Sequence, residues 1–463
     1  MNEIAETLAL PRRPWLQRLG DVMRARRKLI QSIQWTVVVF YLGLLIWPAF
    51  LPLPKDYVHF YENLILFAQF LFWGIWWPFV MLSMILLGRV WCGVFCPEGA
   101  LSEWSSRYGL GHAIPHWMRW GGWPFVAFML TTVYGQLVSV YEYPKATLLI
   151  LGGSTLAAML VGFIYGRGKR VWCRHLCPAN GVFSLLSRLA PIHFHVDRDA
   201  WKQAPRRTPA VDCAPLINIR AMTGNSTCHM CGRCSGHRDA VSLEIRSPNT
   251  EILSINKEEA NHWDILLLLF GMLGVATGAF QWSASPWFVQ MKESIAGWLI
   301  ERNSFWMLND NAPWWLLTHY PQTNDVFTWL DGASILLYIG AMALSIGGLI
   351  LGGLWLAGRI LKENSRIPWR LGYALTPLAG LSIFLGLSSL TLGMIKAERI
   401  DLIGIPELRA SLLILAYVWS AFLLWRLLIQ HETARWRQRA AWTIIMSSAS
   451  LVGLSWVMMF YIW

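Results

Sequence analysis

The sequence predicts an all-α polytopic membrane protein with about nine transmembrane helices and one small cytoplasmic insert. The chain is 55% hydrophobic and only 14% charged, whereas soluble domains carry about 25% charged residues. Its apolar runs reach the roughly 20 residues that a membrane-spanning helix needs. The 39 lysines and arginines are distributed very unevenly between alternate connections, as expected for a chain with a fixed orientation in a membrane.

Nine apolar runs are long enough to span. They cover 31–51, 63–88, 122–140, 146–165, 264–283, 332–357, 371–395, 410–429 and 440–461. Residues 1–29 are polar and basic, and the first run is too long for a cleavable signal peptide. We therefore expect a cytoplasmic basic tail followed by a signal anchor.

The basic residues predict the orientation. With the N-terminus in the cytoplasm, the inside segments carry 32 lysines and arginines and the outside segments carry 7. This asymmetry favours nine spans with a periplasmic C-terminus. The net charge of +12 then reflects topology and contact with anionic membrane lipid, and not nucleic-acid binding.

All cysteines fall in segments assigned to the cytoplasm, where disulfides are rare. They are Cys92, Cys96, Cys173, Cys177, Cys213, Cys228, Cys231 and Cys234. None occurs after residue 234, although half of the chain follows. Such clustering is typical of metal or cluster ligands.

Residues 30–190 contain an internal repeat. GRVWCGVFCPEGALSEWSSR begins at Gly88, and KRVWCRHLCPANGVFSLLSR begins at Lys169, with an offset of 81 residues and no gap. Each half is predicted to form two spans, a Cys-x3-Cys-Pro turn and a short amphipathic helix along the membrane surface. A pseudo-twofold arrangement would bring together the four cysteines of the two turns, which are Cys92, Cys96, Cys173 and Cys177.

Four thiolates suit a [4Fe–4S] cluster or a zinc ion. Cys-x3-Cys-Pro matches the end of the bacterial ferredoxin run C-x2-C-x2-C-x3-C-P, and zinc sites use closer pairs more often. The spacing and the soft ligands favour the cluster, with zinc as the alternative. A purely packing role for these cysteines would leave the repeated Cys-Pro unexplained.

The segment 191–262 contains DCAPLINIR and then CHMCGRCSGHRD. Cys228, Cys231 and Cys234 have ferredoxin spacing, but Arg238 stands where the fourth cysteine is expected. In a two-cluster ferredoxin that fourth cysteine serves the other cluster, so Cys213 is the predicted fourth ligand of a second [4Fe–4S] cluster. His229 and His237 are alternative ligands, although solvated loop histidines are more common.

The paired turns and the DCAPLINIR…CHMCGRC stretch resemble the NapH/NosR/CcoG group of bacterial membrane ferredoxin-type proteins over about residues 30–245. The resemblance implies a ferredoxin-like insert and two cytoplasmic [4Fe–4S] clusters at the bacterial inner membrane. It also implies electron transfer with the quinone pool, in respiration or metal-oxidase maturation. The chain departs from this group in three ways: its insert has four cysteines where eight are typical, it lacks a large flavin domain, and it has five extra C-terminal spans.

Residues 263–463 are predicted to form a five-helix membrane domain with a Trp-rich outside loop at 284–331. The loop segment SPWFVQMKESIAGWLIERN is amphipathic and suits the membrane interface. An aromatic belt is the simpler explanation for the tryptophans, and a quinone or partner site is the other. Because no predicted span contains a histidine, we expect no haem b.

Charged residues adjoin the cysteines. Arg89, Arg170, Arg174 and Arg233 would favour the reduced cluster, or serve topology alone. Glu98 and Glu103 follow the first turn and are predicted to be carboxylates on a surface helix, the alternative being that they tune the cluster or guide a proton.

The leading functional hypothesis is a one-electron relay between a quinol and a redox partner, such as a ferredoxin, cytochrome or reductase subunit. The chain would then be an electron-transfer subunit of an oxidoreductase system. The alternatives are a cupric or ferric reductase, an oxidase-maturation factor, and a non-enzymatic sensor or assembly scaffold.

Overall fold

A computed structural model describes residues 14–54, 58–204, 208, 210–363, 367–431 and 433–463. It is mostly helical, with two short two-stranded sheets. The chain divides into two compact units. The first, here called the cysteine unit, comprises Met1–Gly43, Phe79–Pro124 and Gly153–Asn256. The second unit comprises Leu44–Pro78, Phe125–Gly152 and Lys257–Trp463.

Eight helices within the described residues are long and apolar enough to cross a membrane. They are Arg27–Phe50, Leu64–Leu87, Pro144–Tyr165, His262–Ala284, Trp329–Leu361, Trp369–Ala397, Ile405–Leu428 and Arg435–Ile462. Each overlaps a predicted run, so a multi-pass helical fold is confirmed.

The remaining predicted run, 122–140, forms a shorter helix. It covers Trp123–Leu137, with 15 residues, and is therefore about 22 Å long. Since a spanning helix ordinarily needs roughly 20 residues, length and composition alone do not establish a ninth span.

Besides its portions of the long apolar helices, the cysteine unit contains several short helices. They are Pro14–Ala25, Pro97–Arg107, Val171–His175, Asn180–Ser187, Arg198–Gln203 and Thr250–Ser254. Strand Ile192–Val196 pairs antiparallel with Val241–Ile245, and Phe194 lies opposite Leu243. This pairing brings the two ends of the insert together around the cysteine-bearing loops between them.

The basic tail has a structural role in the insert. Helix Pro14–Ala25 packs Leu16, which is 1% exposed, into the core formed by Phe194 and Leu243. The Arg24 Nη1 donates a hydrogen bond to the Ser235 carbonyl oxygen at 2.9 Å. The tail helix therefore forms part of the wall of the insert, a role beyond the predicted topology signal.

Helix Pro97–Arg107 does not lie exposed along a membrane surface as predicted, because most of its residues are buried. It packs against helix Gly153–Tyr165, where Gly162 allows the close approach. A Cβ at Gly162 would lie 2.6 Å from the Ser102 carbonyl oxygen. The small residue permits this backbone contact, as is common between membrane helices.

In the second unit, the long apolar helices His262–Ala284 and Trp329–Leu361 pack together around apolar residues such as Val275 and Ile339. Helix Pro286–Glu301 lies within the predicted outside loop, with Trp287 and Trp298 each 50% exposed. A second sheet pairs His319–Tyr320 with Asp325–Val326. The exposed tryptophans fit an aromatic belt at a membrane interface.

Candidate metal centre

The two Cys-x3-Cys-Pro turns have the same backbone hydrogen bond. The Cys96 N–H donates to the Trp91 carbonyl oxygen at 2.8 Å, and the Cys177 N–H donates to that of Trp172 at 3.0 Å. Both bonds span five residues, a spacing that widens a helical turn and is frequent at functional sites. The repeat in the sequence is therefore also a repeat in local structure.

The four thiols of these turns lie together in the cysteine unit. Every pair among them is close enough to interact electrostatically. Burial raises the pKa of the Cys96 thiol, and the neighbouring Cys173 and Cys92 raise it further. Cys92 and Cys173 are only 7% and 8% exposed. A buried thiol with a raised pKa stays protonated unless a nearby cation compensates the negative charge of its thiolate.

The four insert cysteines form a second group, again with every pair in electrostatic contact. They line one cavity with about 360 Å³ of empty volume, including its opening. Apolar residues complete the walls, among them Phe194, Pro215, Ile217 and Met222. Cys213 thus lies beside the Cys228 triplet, as the sequence predicts.

Backbone N–H groups point at sulfur in both groups. The Gly99 N–H donates to Cys96 Sγ, and the Met230 N–H donates to Cys228 Sγ, each at 3.4 Å. Met230 reaches this position with a left-handed φ of 52°, which is costly for a non-glycine residue and is found at functional sites. Such bonds to sulfur set the reduction potential of iron–sulfur clusters.

The donor chemistry fits iron–sulfur clusters better than single ions. Within the described ranges, no three His, Cys, Asp or Glu side chains are arranged to hold one metal ion. A zinc site needs its sulfurs about 2.3 Å from a common centre. Four cysteine thiolates are the usual ligand set of a [4Fe–4S] cluster.

The two candidate histidines differ. His229 is 3% exposed and lines the insert cavity, so it is not the solvated loop histidine that we expected. Burial, with Arg89 and Arg170 nearby, lowers its pKa well below the usual range. His237 packs against the Trp201 ring and does not line the cavity.

Arg170 connects the second turn to the first and to the insert. It is 1% exposed. Its Nη1 donates to the Cys92 carbonyl oxygen at 2.5 Å, and its backbone N–H donates to the Ala214 carbonyl oxygen at 2.8 Å. A topology role alone does not account for a buried arginine with these partners.

Glu103 is buried at 5% exposure, contrary to the predicted surface position. It accepts hydrogen bonds from Arg170 Nε at 2.9 Å and from Arg233 Nη2 at 2.6 Å. Burial opposes ionisation of the carboxyl, but the two guanidinium groups outweigh it and lower the pKa of Glu103. One carboxylate therefore neutralises cations from the second turn and from the insert.

Arg89 is the repeat counterpart of Arg170 and has a parallel role. Its Nη2 donates to Asn180 Oδ1 at 2.6 Å, and its Nη1 donates to the Ser226 carbonyl oxygen at 2.9 Å. Arg174 lies close enough to Arg89 and Cys213 to interact with both electrostatically. All four predicted arginines are therefore near the cysteine groups.

Glu98 lies beside the first group. Its side chain lies beside Ser154 and Trp172, and burial raises its pKa. Ser154 lies near the middle of the long apolar helix Pro144–Tyr165, so this carboxyl contacts a candidate membrane-spanning helix. Like Glu103, it is not a surface-helix carboxylate.

Sequence reasoning missed several supporting residues. The Gln34 Nε2 donates to the Gly93 carbonyl oxygen at 2.8 Å. Glu251 accepts from the backbone N–H groups of Asn225 at 2.8 Å and Ser226 at 3.2 Å. No motif marks these residues; the one available signal was a glutamine inside an apolar run, where polar side chains are uncommon.

A family described as a 4Fe-4S binding domain matches residues 69–120 and 149–196. Each matched segment contains one Cys-x3-Cys-Pro turn. No curated protein and no solved structure matches the chain.

The helices and the site together define a multi-pass membrane protein of the iron–sulfur, ferredoxin type. Within that class, the family match accounts for the two repeated turns and does not extend to the insert cysteines or to residues 257–463.

Proposed function

We propose that the protein transfers electrons between the quinone pool and a redox partner in a respiratory chain of the bacterial inner membrane, in the manner of the NapH/NosR/CcoG group. Two [4Fe–4S] clusters would serve as its redox centres. One is assigned to Cys92, Cys96, Cys173 and Cys177, and the other to Cys213, Cys228, Cys231 and Cys234. The observation that carries the proposal is the grouping of all eight free cysteines into two sets of four, with none left over.

When bound, a [4Fe–4S] cluster accepts or releases one electron at a time. The thiols hold it, while the chain adjusts its potential through burial, charge and hydrogen bonds to sulfur. Here the Gly99 and Met230 N–H groups point at sulfur, and Arg170 is near Cys173, Cys96 and Cys231. Positive charge between the two sites favours the reduced, more negative state of each.

A quinone would exchange electrons at the first site. That site adjoins Glu98, which lies beside Ser154 on a candidate membrane-spanning helix. A quinone headgroup arriving from the bilayer would meet a carboxyl group able to bond its hydroxyl or carbonyl oxygens. The second site, in the insert, would face a cytoplasmic redox partner.

The proximity of the two turns also bears on topology. Cys92 and Cys173 interact within one unit, so both turns belong on one side of the membrane. Between them the chain passes through helix Pro144–Tyr165, a single crossing. A second crossing is then required, and helix Trp123–Leu137 is the candidate. This parity argument supports nine spans with the two termini on opposite sides, and the distribution of basic residues favours a cytoplasmic N-terminus. A short span is accommodated by local thinning of the bilayer.

The deciding experiment is anaerobic purification followed by iron and acid-labile sulfide analysis, with electron paramagnetic resonance (EPR) before and after adding a quinol. We expect four irons and four sulfides per site, and cluster signals that grow on quinol addition. Colourless material containing zinc would reject the clusters. Clusters that neither accept electrons from quinols nor respond to quinol analogues would favour the sensor or scaffold alternative. Turnover that requires cupric or ferric ion would favour the metal reductase.

A further inference from the structure

We propose that Gly93 is the positioning residue that sets the electron-transfer distance between the two cysteine sites. The inference rests on the proposed function, since it assumes a redox centre at each site. Gly93 follows Cys92 in the first turn and lies directly against the insert loop that carries Cys231. One electron would pass between the two sites at this contact, and no bond would be made or broken and no proton transferred. The rate of electron tunnelling falls steeply as the distance between the sites increases.

The contact is one that only glycine permits. A Cβ at Gly93 would overlap the His229 carbonyl oxygen, and it would lie 2.9 Å from the Cys231 nitrogen and 3.0 Å from its Cα. All three neighbours are backbone atoms, which cannot move aside as a flexible side chain could. Any side chain at residue 93 would therefore push the ligand loops of the two sites apart.

Two buried side chains hold the Cys92–Gly93 segment in this contact. The Gln34 Nε2 donates to the Gly93 carbonyl oxygen at 2.8 Å, and the Arg170 Nη1 donates to the Cys92 carbonyl oxygen at 2.5 Å. Gln34 is 6% exposed and Arg170 is 1% exposed. Adjacent carbonyl groups are thus fixed from two different segments of the chain, which restricts movement of the first ligand loop.

The repeat counterpart of Gly93 shows that this close contact with the Cys231 backbone belongs to the first turn, whereas the second turn meets the insert through the Arg170 N–H bond to the Ala214 carbonyl oxygen. Counting 81 residues on from Gly93 leads to Arg174, whose large side chain lies near Cys213. The two turns share the same backbone hydrogen bonds, yet a glycine stands in one and an arginine in the other. The first turn therefore makes the close backbone contact, and the second turn contributes a charge.

The test is Gly93→Ala in the full-length protein, purified anaerobically and fully reduced. In the parent protein we expect two reduced clusters whose EPR signals show mutual magnetic broadening. In Gly93→Ala we expect both clusters by iron and sulfide analysis, with that broadening lost and slower electron exchange between the sites. Gly43→Ala is the matched control, because a Cβ there meets nothing within 4 Å, and it should leave the interaction unchanged.

A second variant guards against failure of Gly93→Ala to assemble. Gln34→Met keeps the side-chain length and removes the donor to Gly93, so weaker broadening with both clusters present is expected. Undiminished broadening in either variant that keeps both clusters would overturn the inference. A parent protein with two non-interacting clusters would also overturn it while leaving the proposed function standing, whereas a parent without clusters would reject the proposed function itself.

Discussion

Arg170 and Glu103 form a buried ion pair in which the guanidinium Nε donates to Glu103 Oε2 at 2.9 Å. Their side chains are 2% and 6% exposed. Arg233 joins the same carboxylate from the insert, at 2.6 Å. These contacts therefore link the second turn, the helix that follows the first turn, and the insert.

Glu103→Gln should strongly destabilise the cysteine unit. The amide leaves Arg170 buried without its counter-charge and leaves Arg233 with only the more distant Asp212, at 3.9 Å. Breaking a buried pair in this way costs about 3–5 kcal/mol. The free energy of unfolding, measured by chemical denaturation in detergent, reports the change. Asp199→Asn is the control, since its pair with Lys202 is exposed and should be worth less than about 1 kcal/mol. Equal effects of the two variants would contradict the role assigned to Glu103.

Cys213→Ser should remove one cluster and leave the other. Cys213 interacts with the three other insert thiols and lines their cavity, so its loss should halve the iron content and abolish one of two EPR signals. Cys92→Ser should abolish the other signal. His229→Ala separates the two candidate fourth ligands: it should retain the iron content of the parent protein. Loss of the insert cluster in His229→Ala, with retention in Cys213→Ser, would make the histidine the ligand.

Arg174→Ala should lower the potential of the insert cluster more than that of the other. Its charge is near Cys213 and favours the reduced state there, so removal makes reduction harder. A shift on the order of tens of millivolts is expected, because about 59 mV corresponds to a tenfold change for one electron. An EPR-monitored redox titration measures it. Arg198→Ala, at an exposed position, provides the control, and equal shifts in both variants would argue against a local effect.

Glu251→Gln should loosen the loop that precedes Cys228. The carboxylate accepts hydrogen bonds from the Asn225 and Ser226 N–H groups and pairs with Arg246. Hydrogen bonds to charged groups contribute about 1.5–3 kcal/mol, so an iron chelator should strip the insert cluster roughly tenfold faster or more. The rate for the first site provides an internal reference and should stay constant. If both sites lost iron at the same increased rate, Glu251 would have a general role in stability.

Reporter fusions should place the two ends of helix Trp123–Leu137 on opposite sides of the membrane. A reporter joined after His112 should be active in the cytoplasm, and one joined after Glu142 in the periplasm. A fusion after Trp463 should also report the periplasm. Periplasmic and cytoplasmic reporters used in parallel provide the control for expression. The same side for residues 112 and 142 would separate the two cysteine turns by a bilayer and refute the nine-span topology.

The broad architecture could be predicted from the sequence, because the length of the apolar runs and the placement of the basic residues are strong, local signals. Eight predicted runs correspond to long helices. The helix in the run at 122–140 was harder to predict, because the proline at residue 124 and the turn residues after Leu137 limit it to 15 residues. A count of apolar residues does not show where a helix actually begins and ends.

The two cysteine groups could also be predicted from the sequence, because the exact 81-residue repeat and the ferredoxin spacing are visible in the residue identities alone. The burial of Glu103 and His229 could not be predicted from the sequence, because both are polar residues of types that are usually exposed. Their burial depends on partners such as Arg170 and Arg233 from distant segments. Gly93 carried no signal at all, since its importance lies in a backbone contact with Cys231 that no local pattern encodes.

The shared five-residue hydrogen bonds at Cys96 and Cys177 have a consequence for biogenesis. Each hairpin supplies only two of the four sulfurs of the first site, so neither half can retain an iron cube by itself. On the proposed assignment, the ribosome must deliver a further 81 residues, and the translocon must release the second hairpin, before iron can be captured. Loading of the first site would therefore follow insertion of the second hairpin, and a nascent chain that stalls before this hairpin would remain free of iron.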